Sequence, residues 1–325
     1  MMPDRIIRTV MGDISPDKLG FCDCHCHPLI LSDHLLSYNP DYFNVRDLDI
    51  AERELMEFKR AGGRSLTDCQ PIGTGRATVE DVELSKRTGL NIISCTGFHM
   101  KAFYPDNHWT FTSSVDELTE IYVLEITSGM YINTEESFPY ERISAKAGFI
   151  KNATEESDFD DIDKKRLTAA ANASIKTGAP LLCHTNKSAL THIPFLLDCG
   201  VEPESIIVAH LDKSNLNPNE YHYIIAELGV YLEFDSIVNS RRNTLEEETD
   251  LILKMIDKGY SNKLMFGSDP VRAVFKSYNN NGWGLGYIAG SFLDILRERG
   301  ITDKEIEQIT VINPGKAFSF APKIL

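Results

Sequence analysis

The chain of 325 residues is 42% hydrophobic and 25% charged, the balance of an ordinary globular protein, and its length suits one α/β barrel with insertions. A net charge of −15 argues against nucleic acid or an anionic membrane as partner, because both would be repelled, while leaving room for a small anionic substrate at a locally basic pocket. There is no apolar run of about 18 residues, and Met1-Met-Pro-Asp-Arg5 lacks the apolar core of a secretion signal, so the expected location is the cytoplasm. The seven cysteines are odd in number and without a repeating framework, which predicts reduced core thiols.

In chain order, residues 1–20 hold a short apolar piece followed by Gly-Asp and Ser-Pro-Asp turns, the pattern of a lead-in hairpin. Phe21-Cys-Asp-Cys-His-Cys-His27 then alternates as an extended strand should. Strict period-2 alternation puts Asp23, His25 and His27 on one side and Cys22, Cys24 and Cys26 on the other, packed beneath helices. Pro28 to Asn44 has the composition of a long loop, and Asp49 to Ala61 has helical spacing with Gly62-Gly63 as its stop.

Strands at Ser65–Asp68 and Asn91–Phe98 flank a helix over Thr78–Arg87, and a helix over Val115–Ile126 leads to a strand at Ala147–Lys151. Further strands are expected at Pro180–His184, Ser205–His210, Gly229–Phe234 and Lys263–Asp269, separated by helices over 161–176, 188–197, 220–227 and 245–257. Closing helices are expected over Leu285–Arg297 and Asp303–Phe318. Eight strands alternating with helices, several of them short apolar runs, predict an α/β protein of the (β/α)8 TIM-barrel type, with residues 1–325 as one domain.

Such a barrel places its chemistry at the C-terminal ends of the strands. There the sequence has His25 and His27 after strand one, Lys151 after four, His184 after five, His210 after six and Asp269 after eight. The gaps from Lys151 to His184 and from His184 to His210 are each about one βα unit, and that to Asp269 about two, so all converge on one rim. Neutral imidazoles and a carboxylate suit two divalent ions, zinc first, with manganese or cobalt also accommodated. A lysine fits among them only with its amine carboxylated by carbon dioxide, which turns Lys151 into an anionic bridge.

Cys24-His-Cys-His-Pro28, Ala147-Gly-Phe-Ile-Lys-Asn-Ala-Thr154, Thr177-Gly-Ala-Pro-Leu-Leu-Cys-His-Thr185, Ile207-Val-Ala-His-Leu-Asp212 and Phe266-Gly-Ser-Asp269 carry a resemblance to the phosphotriesterase-like members of the amidohydrolase superfamily. The resemblance implies that His25, His27 and Asp269 hold the more buried ion, His184 and His210 the more exposed one, and N6-carboxylated Lys151 bridges them. It also implies a homodimer. Cys26 stands where the family commonly has glutamate, on the side expected to face away from the metals. A hydroxide bridging two ions is a nucleophile at neutral pH, and Asp269 would accept its proton and pass it to the leaving group. Asp212 would orient a histidine or relay that proton, or else cap a helix.

Relatives of this type hydrolyse lactones, some with side activity on organophosphates. The polar, basic loop Pro270–Gly286 resembles the subgroup that opens phosphorylated sugar lactones of the pentono-1,4-lactone 5-phosphate kind. Arg272, Lys276 and Tyr278 on that loop, with Lys213 after strand six and Arg241 and Arg242 after strand seven, are the candidates to grip phosphate. His99 and Tyr104 after strand three are further pocket candidates. A phosphotriesterase or an amidase using the same ions stays open as the alternative reading. So does a barrel that has lost catalysis and serves only in binding.

Overall fold

The computed structural model describes residues 5–154, 158–185, 188–212, 221–237 and 244–321. The hairpin β1 (Ile7–Thr9) and β2 (Gly12–Ile14) precedes eight parallel strands. These are β3 (Cys22–Cys26), β4 (Ser65–Asp68), β5 (Asn91–Gly97), β6 (Phe149–Thr154), β7 (Leu181–Thr185), β8 (Ile206–Ala209), β9 (Tyr231–Phe234) and β10 (Leu264–Phe266). They pair in chain order, and helices cover the outside. The seam between first and last strands is drawn together at the rim, where Ser268 and Asp269 donate their amides to the His25 carbonyl at 3.1 and 2.7 Å. Closure of the barrel thus puts Asp269 beside His25.

The strands are apolar on both faces because both are covered. Ile93, Cys95, Phe149, Leu182, Ile207, Ala209, Tyr231 and Met265 share the inner cluster. Ile92, Ile150, Leu181, Cys183, Val208, Leu232 and Leu264 pack outward under the helices. Helix starts are set by side chains: Ser114 with Glu117, Thr244 with Glu247 and Thr302 with Glu305 each form a capping box. Gly97 ends β5 at φ +97, where an added Cβ would sit 1.9 Å from the Lys151 carbonyl oxygen, so β5 and β6 approach closely beside Lys151 only because this residue has no side chain.

Strict alternation fails in β3. Asp23 pairs with Leu66 and Cys26 with Asp68, so Cys24 and His25 together oppose Thr67. This bulge turns Cys22 and Cys24 into the inner cluster, and only Cys26 packs under the helices, correcting the expectation that all three thiols do. It also lets His25 and His27 share the barrel mouth while Cys24 lies below them.

Other differences have local causes. Pro28–Asn44 holds two short helices, Asp33–Tyr38 and Pro40–Phe43, capped by Ser32 and Asn39. The helix expected over Leu285–Arg297 breaks at Gly290 into Gly286–Ala289 and Ser291–Glu298. That over Asp303–Phe318 passes through a π-helical stretch, Gln308–Ile312, before Pro314, which lacks the amide for a regular turn. β6 runs on to Thr154, so Lys151 lies within the strand.

One buried pair outside the barrel mouth predicts a pH effect. Asp68 and Asp81 are fully buried, and the Arg76 guanidinium near them is committed to Glu125 at 2.5 and 2.9 Å. Burial raises both carboxyls, Asp81 to about 6, so the folded pair keeps a proton that the unfolded chain releases above 3.8. Stability is therefore lost as pH rises from about 4, through about 6 where Asp81 gives up its proton, and further as Asp68 gives up its own. Asp81→Asn should flatten that slope and, by urea unfolding, be more stable than the parent by roughly 1–3 kcal/mol near neutrality, with little difference near pH 4. A difference independent of pH would contradict this.

Candidate metal centre

The alternation of the strands decides which polar side chains reach the barrel mouth. Lys151 shares the inward parity of Phe149, His184 that of Leu182, and Glu233 that of Tyr231, with Asp235 next on the same side. His210 and Asp269 follow β8 and β10 with φ of +64° and +36°, a region that non-glycine residues adopt only when the surroundings enforce it. Among the described residues only Asn133 joins them among non-glycines with positive φ, so backbone strain is concentrated at this rim.

The side chains converge. Asp269 Oδ1 lies 3.6 Å from His27 Nε2 and 3.9 Å from His25 Nε2. Lys151 Nζ lies 3.3 Å from His25 Nε2, with its side chain wholly buried. On the other side of the mouth His210 Nε2 is 2.5 Å from His184 Nδ1, and Asp269 Oδ2 is 3.9 Å from His210 Nδ1. His25, His27 and Asp269 present one potential ligand atom each within 4.8 Å of one another, as do His25, His210 and Asp235.

Electrostatics suit cations. Asp23, Asp235 and Asp269 gather around Glu233 with Lys151 as the cation among them, so buried acids outnumber buried bases. Burial, and then the repulsion of Asp235, holds the Glu233 carboxyl well above its ordinary range. Asp23 is pushed up to about 7 by burial, even though it accepts the Ser268 amide at 3.0 Å and hydroxyl at 2.5 Å. Burial, then the positive charge of Lys151, pulls His27 down to about 3, which keeps its imidazole neutral as a metal ligand requires. A buried amine among histidines and acids, with neutral nitrogen donors and one carboxylate facing it, is a donor set that divalent ions fit.

Asp235 is an orienting group that sequence reasoning missed. Its Oδ1 accepts from His210 Nδ1 at 2.7 Å and its Oδ2 from the His210 amide at 2.8 Å, which directs His210 Nε2 toward the mouth. The signal was present in Gly229-Val-Tyr-Leu-Glu-Phe-Asp235, where two acids interrupt an apolar strand two residues apart. Asp212, expected to orient a histidine or relay a proton, accepts the amide and hydroxyl of Ser236 at 2.5 and 3.2 Å, which ties the ends of β8 and β9 together.

The other candidates are spread around the rim. The His99 ring is 5.1 Å from that of His184 and its Nδ1 accepts the Met100 amide, leaving the proton on Nε2. The Tyr104 hydroxyl donates to the Ile72 carbonyl and accepts the His99 amide, so its visible task is to brace His99. Arg272 donates to the Asn44 carbonyl at 2.7 Å and lies over the Tyr278 ring at 4.4 Å, while Tyr278 accepts the Asp47 amide. Lys276 lines an outer groove against the helix Leu48–Arg60, among Glu52, Glu54 and Glu57, apart from the histidines. Lys213, Arg241 and Arg242 lie outside the described residues.

The sequence profile of the phosphotriesterase family matches residues 5–318. The chain belongs to that family. It is accordingly a phosphotriesterase-like hydrolase of a metal-dependent family, built on the barrel that its neighbours share. A protein named phospho-furanose lactonase from Mycoplasmopsis synoviae is 31% identical over 99% of this chain and 94% of its own length. The solved structure of an amidohydrolase from Mycoplasma synoviae superposes with a TM-score of 0.92 at 30% identity, covering 99% of this chain and 94% of that one. A lactonase from Listeria monocytogenes superposes with a TM-score of 0.87 at 26% identity, covering 98% and 100%. Among the described residues of this phosphotriesterase-family hydrolase no helix is long and apolar enough to cross a membrane.

Proposed function

We propose that this hydrolase is a lactonase that opens a phosphorylated sugar lactone, using two divalent ions held by His25, His27 and Asp269 on one side and His184 and His210 on the other, with carboxylated Lys151 between them. The observation that carries the reading is Lys151 itself. A lysine wholly buried 3.3 Å from an imidazole nitrogen, with no carboxylate in ion-pair reach among the described residues, has little structural purpose, and as a carbamate it becomes a ligand. Relatives aligned along nearly the whole chain are named phospho-furanose lactonase, which supports this substrate class.

Ions bound there would supply a water-derived nucleophile at neutral pH and charge stabilisation for the lactone carbonyl. The chain does the rest. Neutral His27 offers a lone pair, Asp235 fixes the His210 ring, and Asp269 takes up a proton on its carboxylate and returns it to the ring oxygen that leaves. His99, braced by Tyr104, presents an N–H beside His184 for a sugar hydroxyl. Arg272, stacked on Tyr278 and bonded to the loop after β3, is the candidate to take phosphate, and Lys213, Arg241 and Arg242, outside the described residues, are further candidates.

The test is acid release from pentono- and hexonolactones, each with and without a terminal phosphate, by zinc- or manganese-loaded protein. Hydrolysis confined to the phosphorylated lactones is expected, with Arg272→Met raising KM by roughly 10- to 100-fold, the loss of one charge-assisted pair. Hydrolysis only of unphosphorylated lactones would remove the phosphate assignment. Activity only on phosphotriesters or amides would replace the lactonase reading with its alternative.

A further inference from the structure

Strand β9 places two acids inside the barrel, and the metal centre proposed above accounts for one of them. Asp235 spends both oxygens on His210. Glu233, two residues earlier and wholly buried, has no such partner in the ligand scheme, and a carboxyl group buried without a hydrogen-bond partner is costly. Its Oε2 lies 3.4 Å from His25 Nδ1, while Asp235 Oδ2, already holding the His210 amide, is farther from that nitrogen at 3.6 Å. Its Oε1 has no hydrogen-bond partner among the described residues.

The opposite edge of the same imidazole faces the mouth. His25 Nε2 is 3.3 Å from Lys151 Nζ and 3.9 Å from Asp269 Oδ1. If His25 ligates an ion through Nε2, its proton must sit on Nδ1, in a place from which water is excluded, and that proton needs an acceptor. Among the described residues Glu233 is the nearer of the two acids at that nitrogen, and it has an oxygen with no other bond.

We propose that Glu233 is the positioning residue for His25, accepting the Nδ1 proton so that the Nε2 lone pair is aimed at the more buried ion. The strand then orients one ligand for each ion: Asp235 turns His210 and Glu233 turns His25. The inference rests on the metal reading above and adds a residue to it. Nothing in the His-x-His motif points to this group, because it is brought to His25 from 208 residues away by barrel closure.

The experiment compares the parent with Glu233→Leu and Glu233→Gln, titrating metal-free protein with zinc against a competing chelator and counting bound ions. Loss of the acceptor in Glu233→Leu should weaken the more buried site by roughly 10- to 100-fold and leave the other within a few fold, as expected for a carboxylate behind a ligating imidazole. Glu233→Gln, which keeps an oxygen for the Nδ1 proton, should recover most of that loss. Nitrogen-15 NMR of labelled histidine in the zinc-loaded parent should find His25 protonated at Nδ1, and melting of the metal-free Leu variant should show no loss of stability. Unchanged zinc affinity in Glu233→Leu, with two ions still bound by the parent, overturns the proposal alone. A parallel weakening of both sites with a lower apo melting temperature also overturns it, in favour of a general packing role. A parent that binds no ion overturns the metal reading and this proposal together.

Discussion

Lys151→Met should lower kcat/KM by at least about 10³-fold and leave the purified protein short of metal, with its melting temperature in metal-free buffer not reduced. Lewis-acid assistance by bound ions accounts for several kcal/mol of barrier lowering, and each 1.36 kcal/mol is about tenfold in rate. The side chain is fully buried at the barrel mouth and faces His25, so its replacement would remove the proposed bridge without exposing a cavity to solvent, and Met keeps the apolar stem. Steady-state assays on metal-loaded protein, together with elemental analysis, would check both halves. A Met variant retaining full activity would show that the lysine carries no ligand function.

Asp269→Asn should have the second largest effect, lowering kcat by about 10²- to 10⁴-fold with a smaller change in KM, as expected for removal of a proton-accepting group. The amide keeps an oxygen in place of the carboxylate atom 3.6 Å from His27 Nε2, so some metal is retained, but it cannot take up a proton. The backbone there is strained at φ +36° and held by the Asp269 amide on the His25 carbonyl, which Asn preserves, and Asn tolerates the left-handed region as well as Asp does. Single-turnover kinetics would separate the chemical step from binding. A variant with lowered metal content but an unchanged rate per bound ion would assign Asp269 to coordination alone.

Much of the fold could be read from the chain because parallel strands buried on both faces leave short apolar runs at regular intervals, and the helices between them carry their own caps. The positions of His25, His27, Lys151, His184, His210 and Asp269 followed from the rule that chemistry sits at the strand ends, and the structure brings these six together. The sequence did not disclose the bulge in β3. Register is fixed by what lies across from a strand, and Thr67 opposing both Cys24 and His25 is a property of pairing. Glu233 and Asp235 were visible as acids in an apolar strand, yet their partners come from β3 and β8, and only closure of the barrel makes them supports for histidines. The basic loop shows the opposite limit. Composition grouped Arg272, Lys276 and Tyr278 as one phosphate grip, whereas the fold sends Lys276 to the outer groove beside Glu54 and stacks Arg272 on Tyr278.

The central claim is that these six side chains hold ions, and the most direct test is the metal content of the full-length protein purified from medium supplemented with zinc or manganese and bicarbonate. Close to two ions per chain are expected, falling sharply in Lys151→Met. Protein that is folded, with the parent's melting behaviour, and carries no divalent ion at any of the metals offered would contradict it.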